Sequence, residues 1–251
     1  MVKVLVTHYL SGEIGNASVT LARQAIELEN QWPWDGKEET AERKRAHSEV
    51  RRLAIGAVIL AVASLEGMLN EFLQNAPERL TRLESVRGHI SRLDRPLKHI
   101  TAEGLRNLIA LGAVRELPTN AFDKLRQILE AAGLPELPGD RGIGQHLNAL
   151  VDLRNELVHN VPTARPHGGS VRQNERDPLE NTLRGKYKPS TMVYGGYSFC
   201  WERGLSADCA RWAVCTMHDV ENAWFERIGA SVRVETTLDE VISDAPRAPW
   251  E

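Results

Sequence analysis

Residues 146–160, HLNALVDLRNELVHN, combine helical periodicity with side chains that bind phosphate and transfer protons. At about 100° per residue, the leucines and valines share one broad face, and Arg154 projects from the middle of it. A polar stripe beside that face carries Asn148, Asp152, Asn155 and His159. A guanidinium in an apolar stripe is costly unless a carboxylate, a carbonyl or a bound anion satisfies it. The pattern therefore predicts an anion site or a buried ion pair at Arg154.

His159 adds a proton-transfer group to the same segment. It falls in the last turn of the predicted helix, where the helix dipole favours an imidazolium, and Asn155 lies one turn below it. Five residues turn an ideal helix by about 140°, so Arg154 and His159 do not share a face. For both to act on one substrate, the Arg154 side chain must curl round, the last turn must unwind, or a second subunit must contribute.

A purely structural interpretation of these residues stays open. His159 is then a helix cap, and Arg154 makes an ordinary ion pair with a carboxylate. The bare spacing also recurs at Arg141 and His146, where it spans two glycines of a linker and has no helical platform.

The composition is that of a globular protein, with 42% hydrophobic and 26% charged residues and a net charge of -3. The chain as a whole is thus no basic nucleic-acid coat, and an anion-binding surface must be local. Cys200, Cys209 and Cys215 lack CxxC spacing, which argues against a disulfide framework and a zinc site. With no HExxH or clustered aspartate, we expect neither metal nor cofactor.

The chain shows no sign of a secretory signal or a membrane anchor. Residues 1–7 carry Lys3 and are too short for an apolar targeting region. The apolar run Leu53–Leu65 has 13 residues, well short of the ~20 that span a bilayer. We therefore predict a buried core helix, no membrane contact and a cytoplasmic location.

The elements predict one mainly α domain. Its core helices are expected at about 17–74 (Ala17–Glu29, then Glu38–Gln74), 143–160 and 206–228. Residues 77–136 form a helical insertion, with helices expected at Glu78–Lys98, Ala102–Leu111 and Ala121–Ala132. Thr119 or Asn120, and Ser206, are the expected N-caps, and Gly133 and Gly229 the expected stops.

Two further features complete the expected domain. A minor β element is predicted from three stretches, Val2–Thr7, Thr191–Trp201 and 231–236. Residues 162–190 carry six basic and three acidic residues, a local charge of +3, and are expected to form a flexible basic loop. The tail is 230–251.

RNELVH at 154–159, on a helix that follows a glycine-containing linker, resembles the arginine–histidine motif of the HEPN superfamily. The stretch AIGAVILAVASLEGMLNEF at 54–72 is similar to the long central helix of that superfamily, and the helix at 206–228 fits its order. The resemblance covers the core helices, about half of the chain. It implies a HEPN-like helical bundle that forms a homodimer through the 143–159 helix.

Many HEPN domains are metal-independent endoribonucleases, often toxins or antiviral effectors. The resemblance implies that Arg154 binds the scissile phosphate of RNA and that His159 transfers a proton as the 2′-hydroxyl attacks. Asn155 would orient the imidazole or contact the phosphate. An antitoxin or regulatory protein is a further expected partner. Some HEPN toxins are silenced by modification of a tyrosine two residues after the histidine, but Val161 stands there.

Supporting roles fall to Glu66 and Asn70, four residues apart on the central helix, which can neutralise Arg154 or order His159. Trp201, Trp212 and Trp224 either stack bases or belong to the core. Three hypotheses follow. The first is an endoribonuclease, the second a non-catalytic dimeric module that binds a nucleotide or a partner protein, and the third a helical structural protein.

Overall fold

The computed structural model describes residues 10–33, 40–85, 99–113, 120–137, 142–159, 178–193 and 202–230. Of these residues 82% are helical and none forms a strand, so the mainly α prediction is confirmed. The helices in these ranges are α1 Leu10–Gln31, α2 Ala41–Gln74, α3 Ala76–Ser85, α4 Ala102–Ala113, α5 Ala121–Ala131, α6 Ile143–His159, α7 Pro178–Leu183 and α8 Ala207–Ile228.

Helices α1 and α2 form an antiparallel pair with small residues at their interface. Ser18 Oγ donates to the carbonyl of Ala57 at 2.8 Å, and Ser64 Oγ donates to the carbonyl of Ser11 at 2.8 Å. The pairing is close, because a Cβ added at Gly15 would lie 3.0 Å from Ser64 Oγ. Small side chains at such a contact let two helices approach each other closely.

Helix α2 is the centre of the bundle. It is long and apolar enough to cross a membrane by length and composition alone, with a mean hydropathy of 1.8 over the qualifying window. Its buried side contacts α1, α6 and α8. Helix α8 runs parallel to α2. Met217 of α8 and Ser64 of α2 both lie next to Gly15 of α1. Further along the same two helices, the ring of Trp224 meets that of Phe72 edge-on at 4.8 Å.

The predicted insertion packs against the carboxyl-terminal half of α2. Helices α3, α4 and α5 contact one another in sequence order, and each of them also contacts α2. The guanidinium of Arg79 on α3 lies 5.2 Å from the ring of Phe72, a cation–π contact. The predicted residues 86–98 of the first insertion helix lie outside the described residues.

A buried carboxylate, Glu29 at the end of α1, fixes the start of α8. Its Oε1 accepts hydrogen bonds from Ser190 Oγ at 2.6 Å and from the amide of Thr191 at 3.0 Å. Its Oε2 accepts from the amide of Ala207 at 2.7 Å. Because a carboxylate near a helix N-terminus satisfies orphan amides and the dipole, Glu29 ties Ser190, Thr191 and the start of α8 to the bundle.

The helix ends agree with the predicted capping residues. Asn120 accepts from the amide of Asp123 at 2.8 Å, and Ser206 accepts from the amide of Cys209 at 3.1 Å. Gly133 and Gly229 both have positive φ, 70° and 72°. Helix α6 has the predicted bounds.

The first helix begins earlier than predicted, at Leu10 instead of Ala17. Its polar first turns are stabilised by α2, because Glu71 accepts from both the amide and the hydroxyl of Ser11, at 3.1 Å and 2.6 Å. Single-sequence periodicity does not reveal such a contact between distant residues.

The predicted strand at 191–201 is not seen where the structure describes it, since Thr191–Val193 are bends. The amide of Thr191 is bonded to Glu29 and is not free for a strand partner. The remainder of this strand and the other two predicted strands lie outside the described residues, as does the tail from 231.

Residues 178–190 of the predicted flexible loop are ordered. They contain α7 and the buried residues Leu183 and Tyr187, the latter with its ring 5.3 Å from that of Trp212. The spacing of Leu179, Leu183 and Tyr187 at four-residue intervals is the apolar signal that the loop prediction missed. Residues 162–177 lie outside the described part of the chain.

Candidate functional site

Helix α6 presents Arg154 towards α2. Leu147, Leu150 and Leu153 are buried, and this apolar side packs between α2 and α8. Arg154 follows Leu153 at the edge of that side. The sequence therefore brings a guanidinium to the α2–α6 contact while the rest of the face supplies the packing.

The guanidinium of Arg154 has two partners. Its Nη2 lies 3.6 Å from Glu66 Oε2 on α2, with the two side chains 25% and 19% exposed. Its Nη1 donates to Asn155 Oδ1 at 3.0 Å. The group is thus held by a carboxylate and an amide yet still reaches solvent, so an incoming anion can contact it.

His159 occupies the last turn of α6 and is exposed. Asn155 Oδ1 serves the neighbouring guanidinium, so it is engaged away from the imidazole. Next to His159, the apolar side chain of Val158 is 47% exposed. The structure places Arg154 and Asn155 together and leaves His159 at the open end of the helix.

The polar stripe of α6 continues towards its amino end. Asn148 Nδ2 donates to Asp152 Oδ2 at 3.4 Å, and partial burial raises the pKa of Asp152 above its usual value. These two residues form a side-chain pair on the exposed edge.

Asn70 lies one turn beyond Glu66 on α2 but contacts a different cation. Its Oδ1 accepts a hydrogen bond at 3.0 Å from Nζ of Lys124 on α5, a residue that sequence reasoning missed. The sequence contained a signal for Lys124, because this residue lies on the same side of α5 as the buried residues Ala121, Leu125 and Ile128. A cation within an apolar stripe is the same pattern that identified Arg154.

The histidine of the second arginine–histidine match, His146, belongs to the packing of α6 against α8. His146 lies in the first turn of α6, and its Nδ1 accepts from Trp212 Nε1 at 2.8 Å. Burial, with a smaller effect of Lys186, lowers the pKa of His146. A neutral imidazole is what this hydrogen bond requires, since only an unprotonated Nδ1 accepts.

Other chemical candidates are buried in the core. Trp212 and Trp224 are core residues, so neither presents an open ring for base stacking. Burial raises the pKa of Cys209 to about 12 and that of Cys215 to about 11, so both thiols stay protonated at neutral pH. No cluster of metal-ligating side chains occurs among the described residues.

A groove of about 590 Å³ lies on the amino-terminal half of α2, far from Arg154. It is lined by Leu28, Lys44, Arg45, Ala46, Ser48, Glu49 and Arg52. Arg52 is 14 residues before Glu66, about 21 Å along the helix. The groove is therefore separate from the arginine–histidine site.

Comparisons of the chain with protein-family models, with curated proteins and with solved structures found no match. The functional assignment accordingly depends on the residues of α2, α5 and α6. Their chemistry would suit an anion, because Arg154 is held by the carboxylate of Glu66 and the amide of Asn155, and Lys124 by the amide of Asn70. An exposed imidazole, His159, lies at the end of α6.

Proposed function

We propose that the protein is a HEPN-type endoribonuclease that cleaves single-stranded RNA without a metal ion. The observation that supports this most is the state of Arg154, which is ion-paired on an apolar helix yet a quarter exposed, five residues before an exposed histidine. A guanidinium suits a phosphodiester because its planar donors match two phosphate oxygens.

In the proposed reaction, Arg154 binds the scissile phosphate and stabilises the charge that builds on its oxygens. The 2′-hydroxyl loses a proton as its oxygen bonds to phosphorus, and the bond from phosphorus to the 5′-oxygen breaks. The leaving oxygen takes up a proton. His159 serves in this proton transfer, and the products carry a 2′,3′-cyclic phosphate and a 5′-hydroxyl.

Two residues support Arg154 in this scheme. Glu66 offsets its charge when no RNA is bound, and Asn155 fixes the plane of the guanidinium through a 3.0 Å hydrogen bond. Orientation of this kind holds the donors where the phosphate oxygens must lie.

The site requires a homodimer through the 143–159 helix. Arg154 and His159 are about 140° apart around α6, so one chain does not aim both at one phosphate. The exposed Val158 beside His159 offers apolar surface for a partner helix. A symmetric contact there would bring two copies of His159 together and pair each with the other chain's Arg154.

We further propose a cytoplasmic role as a toxin or antiphage effector, restrained by an antitoxin or regulatory protein. The thiols of Cys209 and Cys215 are free, as suits a reducing compartment. An RNA-cleaving enzyme in the cytosol needs such restraint.

The test is incubation of the protein with unstructured RNA in EDTA. Cleavage by the wild type and its loss in both Arg154→Ala and His159→Ala support the proposal. The controls are Arg126→Ala and His99→Ala, which remove exposed residues of the same types on other elements. Cleavage that persists in the Arg154 and His159 variants refutes their assignment.

One observation favours a second candidate, a non-catalytic HEPN-like dimer that binds a nucleotide or a partner protein. Glu66 already satisfies Arg154 within the chain, as a structural ion pair would. Tight binding of a ligand to the wild type, with no turnover of any RNA tested, selects this alternative.

A further inference from the structure

Lys124 is a buried cation whose ammonium donates to an amide rather than to a carboxylate. The residue is 8% exposed, and its ammonium donates to the amide oxygen of Asn70 at 3.0 Å. Among the described residues no carboxylate lies within 4 Å of it. Buried charges in proteins are normally paired, because removing an ammonium from water is costly and an amide dipole compensates it only in part.

The acidic neighbours of Lys124 are engaged elsewhere. Asp123 accepts from Asn120 Nδ2 at 2.7 Å in the cap of α5 and lies 3.9 Å from the guanidinium of Arg126. Glu66, one turn before Asn70, pairs with Arg154. The part of the chain that the structure describes thus supplies no carboxylate for Lys124.

The cations of Lys124 and Arg154 meet the same face of α2. Their contacts, Asn70 and Glu66, are four residues apart, a rise of about 6 Å. Two cations and one carboxylate leave a surplus charge of +1 at this place. Asn70 is itself exposed, so the amide that accepts from Lys124 lies at the surface. The buried ammonium beneath it has further donors for an anion that binds over Asn70.

We infer that Lys124, Asn70 and Arg154 form an extended anion surface in which Lys124 binds the RNA phosphate next to the scissile one. The inference rests on the proposed function, because that function places the scissile phosphate at Arg154. Lys124 then fixes the register of the strand along α2 and takes no part in proton transfer.

The experiment measures binding of a non-cleavable 2′-O-methyl single strand over a range of salt concentrations. Loss of one phosphate contact makes the slope of log K against log salt shallower by about 0.7, so the affinity deficit of the variant relative to the wild type is about fivefold larger in 0.1 M than in 1 M salt. We expect this change in Lys124→Met, which keeps the apolar stem, and a wild-type slope in Lys124→Arg.

Asn70→Asp supplies the missing carboxylate without changing shape. It should raise the melting temperature by pairing with Lys124 while reducing the salt slope by a similar amount. The controls are Arg126→Gln, which removes an exposed charge from α5, and Asn16→Asp, which adds one to an exposed position of α1. Both should bind like the wild type.

A purely structural role for Lys124 predicts lower stability and an unchanged slope, and that result overturns the inference. Failure of the proposed function looks different. If the slope depends on Lys124 but no RNA is cleaved, the phosphate site stands and the nuclease assignment falls. If the wild type binds no single strand at all, the inference is wrong as well.

Discussion

Nη2 of Arg154 lies 3.6 Å from Oε2 of Glu66, which joins the middle of α6 to the carboxyl-terminal half of α2. The pair is partly exposed, so solvent screens it and its contribution to stability is small. Its more important effect is on the charge of the site. Glu66 holds the guanidinium in place, and in the proposed function it would also repel an incoming phosphate.

Replacing Glu66 with glutamine should separate these two effects. Without the carboxylate, RNA should bind about two- to fivefold more tightly, because a partly exposed ion pair is worth up to about 1 kcal/mol. The rate constant kcat should fall, because the guanidinium is less well fixed. Steady-state kinetics check this, with Glu130→Gln at an exposed position of α5 as control. An unchanged or higher KM would contradict the repulsion.

A mixed dimer tests whether two chains share each site. In a heterodimer of Arg154→Ala and His159→Ala chains, one site regains both side chains and the other loses both. Random mixing of the two inactive variants should therefore restore about a quarter of the wild-type rate. If activity stays at the level of the separate variants, each site belongs to a single chain.

Glu29→Ala should strongly destabilise the fold. The change leaves the hydroxyl of Ser190 and the amides of Thr191 and Ala207 without their acceptor. We expect the free energy of unfolding to fall by about 3–5 kcal/mol, measured by urea denaturation. Glu27→Ala, at an exposed position of α1, should change it little. Equal effects of the two changes would show that Glu29 does not anchor α8.

Glu221 on α8 should make stability depend on pH. Burial raises its pKa from 4.5 to about 7, and a hydrogen bond with Ser64 opposes part of this rise. The pKa of this carboxyl is higher in the folded than in the unfolded state, so its protonated form stabilises the fold. This contribution is fully present below about pH 4.5 and is lost as the pH rises through 7.

Glu221→Gln removes this dependence because an amide does not titrate. At pH 8 the variant should be more stable than the wild type by up to about 3 kcal/mol, and the difference should shrink towards pH 5. Urea denaturation at both pH values measures it, with the exposed Glu226→Gln as control. A difference that does not vary with pH would show that the carboxyl is not the titrating group.

The sequence predicted well whatever depends on local periodicity and capping. The bounds of α6, the caps Asn120 and Ser206 and the stop at Gly229 follow from residue type and spacing alone. Arg154 was found because a guanidinium in an apolar stripe is locally unusual.

Contacts between distant residues escaped prediction. Glu29 bonds to residues that lie between 161 and 178 positions further along the chain. The early start of α1 depends on Glu71 of α2. Both contacts form only when distant helices meet in space. Asn70 was expected to serve Arg154 or His159 but lies against Lys124. Only the packing of α5 on α2 determines that partner.

The most direct test of RNA cleavage by Arg154 and His159 is the chemistry of the product ends, determined by mass spectrometry after incubation in EDTA. The proposed reaction predicts 2′,3′-cyclic phosphate and 5′-hydroxyl ends, no scission at 2′-O-methyl positions, and no products from Arg154→Ala or His159→Ala. Products with 5′-phosphate ends, scission next to a 2′-O-methyl group, or no cleavage of any single-stranded RNA by the wild type would contradict it.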